Sequence, residues 1–498
     1  MHSRIKNAML VQPKSTGGNF EYVAIFRQGM LYLSAALRDH QGPYIYDRQI
    51  WMEDRSGKID AARDLDDTDL LLVTALINEA PRAYEVARQA KLTHPHIRSM
   101  GGGPHMGPLY EEAIREGLLD VVVMREAEDV VGTVADLLLT YEGDALTREL
   151  YKVGGIAFRD GERIVRTPFR PVIPSDYVTL PDYRSVRDLT PQNPLAAGII
   201  ETVRGCVENC SFCEVVQQFK GYRMVSRQTE LARLQQLQEM AADGLIYRSP
   251  INGRFAVFVT DDLHPPPLRA VKFRNERMER VRNWRGRTDG MFMIIQGRAE
   301  LGQDAEMAEG MRDIGVEMLY LGVESSNAKN LELVRKRQDP DQVHRDLEQL
   351  NRYGYTVVAM TIIGLPYDTE ESVMELAEWV RSVSRYQTAN LLTPLPATIN
   401  WPNPLMATGL KLLDEDGSLL PEGKLPPYHL YTGRQFVFQD EATLPNGEPR
   451  NWTLQRSREI YDKYTARLRP IDKLYERIFR TMKARQAHHP ELAVPTRV

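Results

Sequence analysis

Short apolar runs alternate with amphipathic segments along the first 140 residues of the chain. The apolar runs have the length of strands, and the segments between them place apolar residues at helical spacing. Strands that are apolar throughout, separated by helices, are typical of a parallel sheet covered on both faces. The pattern predicts an α/β, doubly wound (Rossmann-like) domain whose strands lie in NAMLVQP, PYIYD, DLLLVTAL, IRSMGGG and DVVVM.

A second alternation of strands and helices begins near Ala197. A run of strand and helix units connected by right-handed crossovers tends to curve into a full or partial barrel. The pattern predicts a partial (β/α)6 barrel, with binding loops at the carboxyl ends of its strands and one of its helices over NLELVRKRQ. The predicted barrel strands lie in GIIETV, FAVFVTDD, MFMIIQ, MLYLGVES, TVVAMTIIG and ANLLTPLP.

Four regions follow from these patterns. Residues 1–145 are predicted to form the doubly wound domain and residues 196–400 the partial barrel. Between them, residues 146–195 contain Gly- and Pro-rich pieces that predict a hairpin and an extended linker. Residues 401–498 are predicted to form a mainly helical region that caps the barrel mouth and shapes substrate selection.

Composition narrows the class of protein. A chain of 498 residues with 42% hydrophobic residues can fill several cores, and its net charge of -5 gives no general attraction to nucleic acid. No apolar run approaches the roughly 18 residues that span a bilayer, and the start of the sequence lacks a signal-peptide pattern. We therefore expect a cytoplasmic protein, a monomer, with no nucleic-acid partner and no membrane span.

All cysteines of the chain lie within eight positions, in RGCVENCSFCEVV after the first predicted barrel strand. An odd, clustered set of thiols favours metal ligation over disulfides, because a tight loop can direct Cys206, Cys210 and Cys213 to one centre. A zinc site would need a fourth ligand, for which His264 at another strand end is a candidate. A [4Fe-4S] cluster held by three cysteines would keep one iron open. Spacing alone leaves both possibilities.

The segment CVENCSFC resembles the CxxxCxxC signature of radical SAM enzymes, including the aromatic Phe212 before the last cysteine. It also lies after the first barrel strand, where that superfamily places it. The resemblance implies that the three cysteines hold a [4Fe-4S] cluster whose open iron binds the amino and carboxylate groups of S-adenosylmethionine (SAM). Electron transfer from a donor such as flavodoxin would then cleave SAM to methionine and a 5'-deoxyadenosyl radical.

Polar residues and a glycine at other strand ends match the SAM contacts of that superfamily. The resemblance implies carboxylates near the methionine amine, groups near the ribose and carboxylate, and a glycine whose backbone approaches adenine. For each position a helix cap, a salt bridge between loops or a plain turn is the alternative. The residues that carry the implied SAM contacts are Phe212, Asp261, Asp262, Gln296, Arg298, Glu324 and Gly364.

The order of a doubly wound domain, a hairpin and a barrel resembles the radical SAM enzymes that carry an N-terminal cobalamin-binding domain. The best local marker is MGGGPHMGPLYEEAIREGLLDVVVMREAED, which matches the glycine-rich strand end, helix, strand and acidic turn of these enzymes. The resemblance implies cobalamin, in the crevice outside the strand ends. The implied cofactor-pocket residues are Gly102, Gly103, His105 and Glu126.

Two departures from this pattern concern the cobalamin site. The segment VQPKSTGGNFEYVAIF has no DxHxxG motif, so cobalamin would be bound without a protein histidine on cobalt. The acidic turn has Arg125 and Ala127 where relatives have glycines, and these side chains are expected to narrow the crevice. A domain that has lost cobalamin but still docks on the barrel is the alternative.

Methyl transfer to an unactivated carbon of a small molecule is the first functional hypothesis. TDDLHPPP, LYLGVESSNAKNLELVRKRQ and MTIIGLPYDTEESV resemble the branch that contains hopanoid methylases, which implies a lipid or natural-product substrate. A radical cyclisation, rearrangement or dehydration is the alternative, with Tyr222, His264 or Glu324 as acid or base. A zinc-stabilised binding protein is the third reading.

Overall fold

The computed structural model describes residues 4–14, 27–392, 395–398, 410–413, 436–439, 446–447 and 456–471. The described residues form two large sheets, of seven and six strands, and two small two-stranded ones. Among them no helix is both long and apolar enough to cross a membrane. The segment after Lys14 that lacks the histidine motif lies outside the described residues, as does most of the predicted C-terminal cap.

The first sheet has the strand order β2-β1-β3-β4-β5-β6-β7, in which β1 to β5 are parallel. The hairpin β6/β7 extends its edge antiparallel to β5. The order 2-1-3-4-5 reverses direction beside β1 and opens a crevice at the carboxyl ends of the strands. The strands are β1 (Arg4–Gln12), β2 (Tyr44–Met52), β3 (Leu70–Thr74), β4 (Arg98–Gly102), β5 (Val121–Val123), β6 (Ile156–Asp160) and β7 (Arg163–Arg166).

Helices cover both faces of this sheet because successive strand side chains point to opposite sides. Leu72 packs in one core with α1 and α7, whereas Leu71 and Val73 pack in a second core with α4 and α6. This arrangement confirms the predicted doubly wound fold. The helices are α1 (Gln28–Asp39), α2 (Glu53–Ser56), α3 (Ala61–Asp64), α4 (Ala80–Thr93), α5 (Gly103–Met106), α6 (Tyr110–Glu116), α7 (Val131–Thr140) and α8 (Gly143–Leu150).

The second sheet confirms the predicted partial barrel: six parallel strands in the order β15-β14-β13-β12-β11-β8. The antiparallel pair of β9 (Val203–Arg204) and β10 (Arg223–Met224) lies between its first strand and first long helix. The six barrel strands are β8 (Ala197–Ile200), β11 (Phe255–Val259), β12 (Met291–Gly297), β13 (Val316–Glu324), β14 (Thr356–Ile363) and β15 (Tyr386–Leu391).

Several barrel helices begin at short polar side chains that accept backbone N–H groups, as Ser226 and Thr369 do. The predicted helix over NLELVRKRQ ends early, at Leu333, because Arg335 and Arg337 adopt left-handed backbone conformations (φ 56° and 51°). The helices are α9 (Val215–Gln218), α10 (Arg227–Ala242), α11 (Val271–Trp284), α12 (Ala305–Asp313), α13 (Ala328–Leu333), α14 (Pro340–Arg352) and α15 (Glu370–Val383), with 3-10 turns at Tyr183–Ser185 and Ala299–Gln303.

The described part of the C-terminal region contains α16 (Ser457–Arg467) and an antiparallel pair, β16 (Leu410–Leu413) with β17 (Phe436–Gln439). Helix α16 lies against the barrel, where the hydroxyl of Tyr464 donates to Thr361 Oγ1 at 2.8 Å. Its helical character agrees with the predicted fold. The four domain boundaries given above stay predictions.

Candidate functional site

The three cysteines lie in residues 205–214, here called the cysteine loop, between β9 and α9. Gly205 begins the loop with φ +86°, and a Cβ at this position would collide with the carbonyl of Gly221 across the β9/β10 pair. Inside the loop, the Cys213 N–H donates to Cys210 O at 3.3 Å and the Ser211 N–H donates to Val334 O at 3.0 Å. These contacts hold the loop at the carboxyl end of the barrel.

The thiols of this loop are shielded from water. Cys210 is buried, and Cys206 and Cys213 are half-buried. Burial raises the pKa of Cys206 and of Cys213 to about 12, and the pKa of Cys210 is also raised. A metal ion that takes the proton's place lets such a desolvated thiol ionise.

Two buried cations counter this effect at the cysteine loop. The charges of Lys336 and Arg298 lower the pKa of Cys206 and of Cys210, against the larger effect of burial. Three thiols in one loop, facing positive charge in a place with little water, fit an anionic iron-sulfur cluster held by three cysteines. The residues present therefore suit the predicted cluster.

His264, the candidate fourth zinc ligand, is engaged elsewhere. It is fully buried, and its Nδ1 lies 2.8 Å from Asp261 Oδ2. Among the described residues, no three Cys, His, Asp or Glu side chains are grouped as they would be around a single metal ion. A tetrahedral zinc site needs four donors about 2.0 to 2.3 Å from one ion. The contacts of the described residues thus give the zinc reading no support.

Lys336 and Glu324 form a buried ion pair at the barrel mouth. Lys336 Nζ donates to Glu324 Oε1 at 2.7 Å and lies 6.0 Å from the centre of the Phe212 ring. Glu324 has a left-handed backbone (φ 64°) at an irregularity in the pairing of β13, where a Cβ on Gly322 would collide with its carboxylate. Sequence reasoning missed Lys336, because the pattern placed it inside a helix.

Arg298 points a partly free guanidinium towards the cysteine loop. Its Nη2 donates to Glu300 Oε1 at 2.8 Å and to Arg337 O at 2.9 Å. Its Nη1 has no hydrogen-bond partner among the described residues and lies 3.9 Å from Glu208 Oε2. Gln296, two residues earlier, is half-buried, and its carbonyl accepts the His264 N–H at 2.8 Å.

Asp261 and Asp262, both predicted to contact the methionine amine, lie in different surroundings. Asp261 Oδ1 accepts the N–H groups of Thr202 (2.6 Å) and Val203 (2.9 Å). Its Oδ2 accepts the Thr202 hydroxyl and lies beside His264 Nδ1. Through these contacts Asp261 joins the ends of β8 and β11. Both oxygens of its carboxylate are engaged, so its predicted contact with SAM gains no support.

Asp262 faces the cysteine loop instead. Its Oδ2 accepts the Gly205 N–H at 3.1 Å, and its charge contributes to the raised pKa of Cys206 and Cys213. Burial raises the pKa of Asp262 itself to about 7. Of the two acidic residues, Asp262 is therefore the one placed to meet a cation next to the cysteines.

The two remaining SAM candidates frame the site. Gly364 has φ +93°, and its N–H donates to Asp368 Oδ2 at 2.9 Å, which fixes the turn after β14. Phe212 packs against an apolar cluster that includes Ile362 and Leu365. The SAM contacts of these and the other candidate residues stay predictions.

A cleft, here called the cofactor cleft, opens at the carboxyl ends of β3, β4 and β5 and has a cavity volume of about 220 Å³. Gly102 and Gly103 form part of its wall, and a Cβ on Gly103 (φ +91°) would collide with Thr74 Oγ1. Leu72 and Met100 line its apolar floor. Glycine backbone beside an apolar floor suits the nucleotide tail of cobalamin, so the residues present fit this cofactor.

The predicted cofactor contact of His105 gains no support from its position. Its side chain is fully buried, with Nε2 3.4 Å from Glu112 Oε1 and its ring 6.1 Å from that of Tyr84. It is absent from the described residues that line the cofactor cleft. The short helix α5 begins directly after Gly102, and its turn carries His105 into the core between α4 and α6.

Glu126 lines the cofactor cleft and belongs to a buried group of charges between the two sheets. Arg204 Nη1 lies 2.8 Å from Glu126 Oε1 and 2.7 Å from Glu128 Oε1, and its Nη2 lies 3.0 Å from Glu201 Oε2. Arg223 Nη2 lies 2.8 Å from Glu126 Oε2. We call these five residues the interdomain charge cluster.

The interdomain charge cluster connects the cofactor cleft to the cysteine loop. Arg204 lines the cleft and stands two residues before Cys206. Its pKa is raised above the usual range by the surrounding carboxylates, despite its burial. Sequence reasoning missed Arg204, because Glu126 and Glu128 are distant from it in sequence and only the fold brings them to it.

Comparison with known proteins identifies two domain families in the chain. The model described as "Radical SAM superfamily" matches residues 200–380, and the model described as "B12 binding domain" matches residues 24–135. The first covers the cysteine loop and most of the barrel strands. The second covers most of the first sheet and the residues of the first domain that line the cofactor cleft.

Several relatives are about a quarter identical to the chain over the residues that align. An uncharacterized methyltransferase of Pyrococcus horikoshii is 26% identical over 67% of the chain and 69% of its own length. The hopanoid C-3 methylase of Methylococcus capsulatus is 24% identical over 70% of the chain and 64% of its length. An anaerobic magnesium-protoporphyrin IX monomethyl ester cyclase of Cereibacter sphaeroides is 24% identical over 66% of the chain and 52% of its length.

Solved structures share the fold over most of the chain. The radical S-adenosylmethionine methyltransferase TsrM of Kitasatospora setae, with cobalamin and a [4Fe-4S] cluster bound, has a TM-score of 0.66. That match has 14% sequence identity and covers 94% of this chain and 92% of TsrM. The cobalamin-dependent radical enzyme OxsB, in its apo form, matches with a TM-score of 0.65 and 14% identity over 88% of this chain and 64% of OxsB.

Proposed function

Because this chain belongs to the radical SAM enzymes that carry an N-terminal cobalamin-binding domain, we propose that it transfers a methyl group to an unactivated carbon of a small-molecule substrate. The predicted cofactors, a [4Fe-4S] cluster, SAM and cobalamin, follow from the two matched families. When bound, the cluster supplies an electron that cleaves SAM to a carbon-centred radical, and cobalamin supplies a methyl carrier.

One observation carries the proposal: the cofactor cleft and the cysteine loop are neighbours. Arg204 lines the cleft, pairs with Glu126 and Glu128 of the first domain, and stands two residues before Cys206. A methyl carrier held in the cleft would therefore lie beside the centre that generates the radical. Such closeness is what transfer to a short-lived substrate radical requires.

The cysteine count also favours this reaction. The chain contains three cysteines, and the cluster would use all of them. No thiol is left to serve as a methyl carrier or to hold a second cluster. Methyl transfer from cobalamin to a carbon radical needs no protein nucleophile, so the residue inventory suffices.

The chain's own residues would bind and orient the cosubstrate. Lys336 and Arg298 place positive charge beside the cysteine loop, which suits the carboxylate of SAM, and Asp262 suits its ammonium group. Glu324 holds Lys336 in position through the 2.7 Å ion pair. The burial of these groups keeps water from the radical.

The named relatives support a methyl transfer in general and leave the substrate open. One relative is a methylase of hopanoids, which are lipids. One structural neighbour was solved with a tryptophan substrate. We propose a lipid or natural-product substrate on this basis. An external reductant such as flavodoxin would supply the electron.

A second candidate function is radical cyclisation. The cyclases of Cereibacter sphaeroides and Rubrivivax gelatinosus are 24% and 25% identical to the chain, nearly as similar as the methyltransferases. The chain spans about half the length of each cyclase. The two reactions differ in their products, because only methyl transfer yields S-adenosylhomocysteine.

The test is product analysis with the reconstituted protein. The chain is loaded anaerobically with iron, sulfide and hydroxocobalamin, then incubated with reductant, SAM deuterated in its methyl group and an extract of small molecules. We expect S-adenosylhomocysteine, 5'-deoxyadenosine and a product carrying the deuterated methyl group by mass spectrometry. The Cys213→Ala variant should lose 5'-deoxyadenosine. Deoxyadenosine without S-adenosylhomocysteine would favour cyclisation, and neither product would contradict both candidates.

A further inference from the structure

A second cavity, here called the lateral cavity, lies between the first domain and the cysteine loop and has a volume of about 320 Å³. Its walls come from five parts of the chain: the glycine-rich turn and α6 start, the turn after β5, the end of the β6/β7 hairpin, the residues that follow Cys213, and residues 396–397. The apolar part of these walls includes Pro104, Pro108, Tyr110, Met124, Phe169 and Pro396.

Two arginines line this cavity, Arg125 half-buried and Arg166 exposed to solvent. The Arg125 guanidinium stacks on Phe169, with Cζ 3.8 Å from the ring centre, and Arg166 Cζ lies 5.4 Å from the same ring. Within the part of the chain that the structure describes, neither guanidinium has a hydrogen bond or an ion pair with a carboxylate. Stacking on an aromatic ring engages the face of a guanidinium and leaves its in-plane N–H donors available to another group.

The backbone at Arg125 is itself unusual. Its φ of +63° lies in the left-handed region, which side chains other than glycine rarely adopt. A strained residue that a fold retains is a reason to look for a function.

The carboxylates around Arg125 are occupied by other arginines. Glu126 pairs with Arg204 and Arg223, and Asp129 pairs with Arg170 at 3.0 Å. On the described wall of the cavity, Glu214 is the one acidic side chain, and two arginines face it. The wall therefore has net positive charge even with Glu214 ionised.

We propose that the lateral cavity binds an anionic group, a carboxylate or a phosphate, of a substrate that is otherwise mainly apolar. Arg125 and Arg166 would bind the anion, since a guanidinium fork matches the oxygens of either group. The proline, tyrosine and methionine walls would contact the apolar body. Because Glu214 directly follows Cys213, a molecule in this cavity reaches the cysteine loop. This inference rests on the proposed function and names its substrate class.

The test measures binding to the chain already loaded with cluster and hydroxocobalamin. The probes are 4-phenylbutanoate, the matched neutral 4-phenylbutanamide, and phenyl phosphate, each titrated by calorimetry. We expect at least one of the two anions to bind roughly tenfold or more tightly than the amide, as charge-assisted pairing with arginine predicts. The anion that binds more tightly identifies the group as carboxylate or phosphate.

Variants then assign the preference to the two arginines. Arg125→Gly removes the first charge and places a glycine where the backbone is left-handed, and Arg166→Gln removes the second charge. Each variant should bind the anion about tenfold more weakly and bind the amide as the parent does. Arg163→Gln, on the same hairpin but outside the cavity, is the matched control and should change neither.

Three results would overturn the inference: equal binding of acid, phosphate and amide; no binding of either anion; or anion binding unaffected by both variants. Arg125 also lines the cofactor cleft. If Arg125→Gly weakens hydroxocobalamin binding while the preference for anions persists, Arg125 would be assigned to the phosphate of cobalamin. That result also contradicts the proposal. Formation of S-adenosylhomocysteine in the same preparation reports on methyl transfer separately, so its failure leaves the binding result interpretable.

Discussion

Individual charged residues around the cysteine loop differ in how well their burial is compensated. Asp261 is surrounded by donors, and Glu324 is paired with Lys336. Asp262 has one recorded hydrogen bond, from the Gly205 N–H, and its pKa is raised to about 7 by burial. Such differences separate residues that hold the fold from residues available to a ligand, because a buried group without enough partners costs free energy.

Replacing Lys336 with Met should destabilise the protein, because Glu324 would keep a buried charge with no counter-ion. We expect the free energy of unfolding in urea to fall by about 3 kcal/mol, as for other buried pairs that lose one partner. Adding Glu324→Gln should recover part of the loss. Lys329→Met, at an exposed position of α13, is the control. Unchanged stability of Lys336→Met would contradict the buried pair.

Asp262 should make the stability of the chain, before cluster insertion, depend on pH. Its folded pKa of about 7 lies above the unfolded value of about 3.9, so its contribution is fully present below pH 4 and is lost as pH rises through 7. Asp262→Asn should therefore become more stable relative to the parent as pH rises from about 4 to about 7, and the difference in Tm between variant and parent should increase over this range. The exposed Asp289→Asn serves as control. A flat difference would show that Asp262 is not desolvated.

The turn between β4 and α5 decides the shape of the cofactor cleft. Gly103 combines a left-handed backbone with contact against Thr74, so both its conformation and its lack of a side chain matter. The same turn sends His105 into the core and leaves Gly102 and Gly103 on the cleft wall. A short element thus sorts neighbouring residues into structural and cofactor-facing ones.

Gly103→Ala should weaken cobalamin binding by about tenfold or more, since the methyl group collides with Thr74 and strains the left-handed backbone. The measurement is the amount of hydroxocobalamin that stays with the protein through gel filtration, determined from its visible spectrum. Gly29 also lines the cleft, but a Cβ there meets nothing within 4 Å. Gly29→Ala should bind cobalamin like the parent, and equal binding by both variants would exclude the turn from the site.

At the scale of the whole molecule, the two sheets meet through buried charge as well as apolar packing. The interdomain charge cluster joins the acidic turn after β5 to β9 and the end of β8. Gln28, in the first turn of α1, adds a hydrogen bond from Nε2 to Glu201 Oε1 at 2.9 Å. Charge pairs fix a relative orientation more specifically than apolar contact does. The cofactor cleft is thereby held against the cysteine loop.

Arg204→Gln should lower the free energy of unfolding by about 3 kcal/mol, because three glutamates would lose their shared cation. Chemical denaturation measures the change, and Arg204→Gln combined with Glu128→Gln should be less destabilised than the single variant. Arg227→Gln breaks the exposed pair with Glu279 and should cost less than about 1 kcal/mol. Equal effects of the two arginine variants would refute a structural role for the cluster.

Much of the fold and part of the site could be predicted without coordinates. Strand and helix periods are local properties, so the two alternating regions and the three clustered cysteines were visible in the printed sequence. The glycines of the cleft wall were found in the same way, from a turn signature. His105 belongs to that signature too, yet its direction depends on a single turn of helix.

The sequence by itself determined the two α/β regions, the cysteine loop and the family, because these depend on residues close together along the chain. Only the tertiary structure decided that Asp261 is engaged by Thr202 while Asp262 faces the cysteines, and that Arg204 and Lys336 join the site. Glu324 is 12 positions from Lys336, and Glu126 and Glu128 are 78 and 76 positions from Arg204. Such contacts form only when the ends of strands from different βα repeats meet at one edge of the sheet. The local spacing of apolar and polar residues carries no information about which strand ends meet.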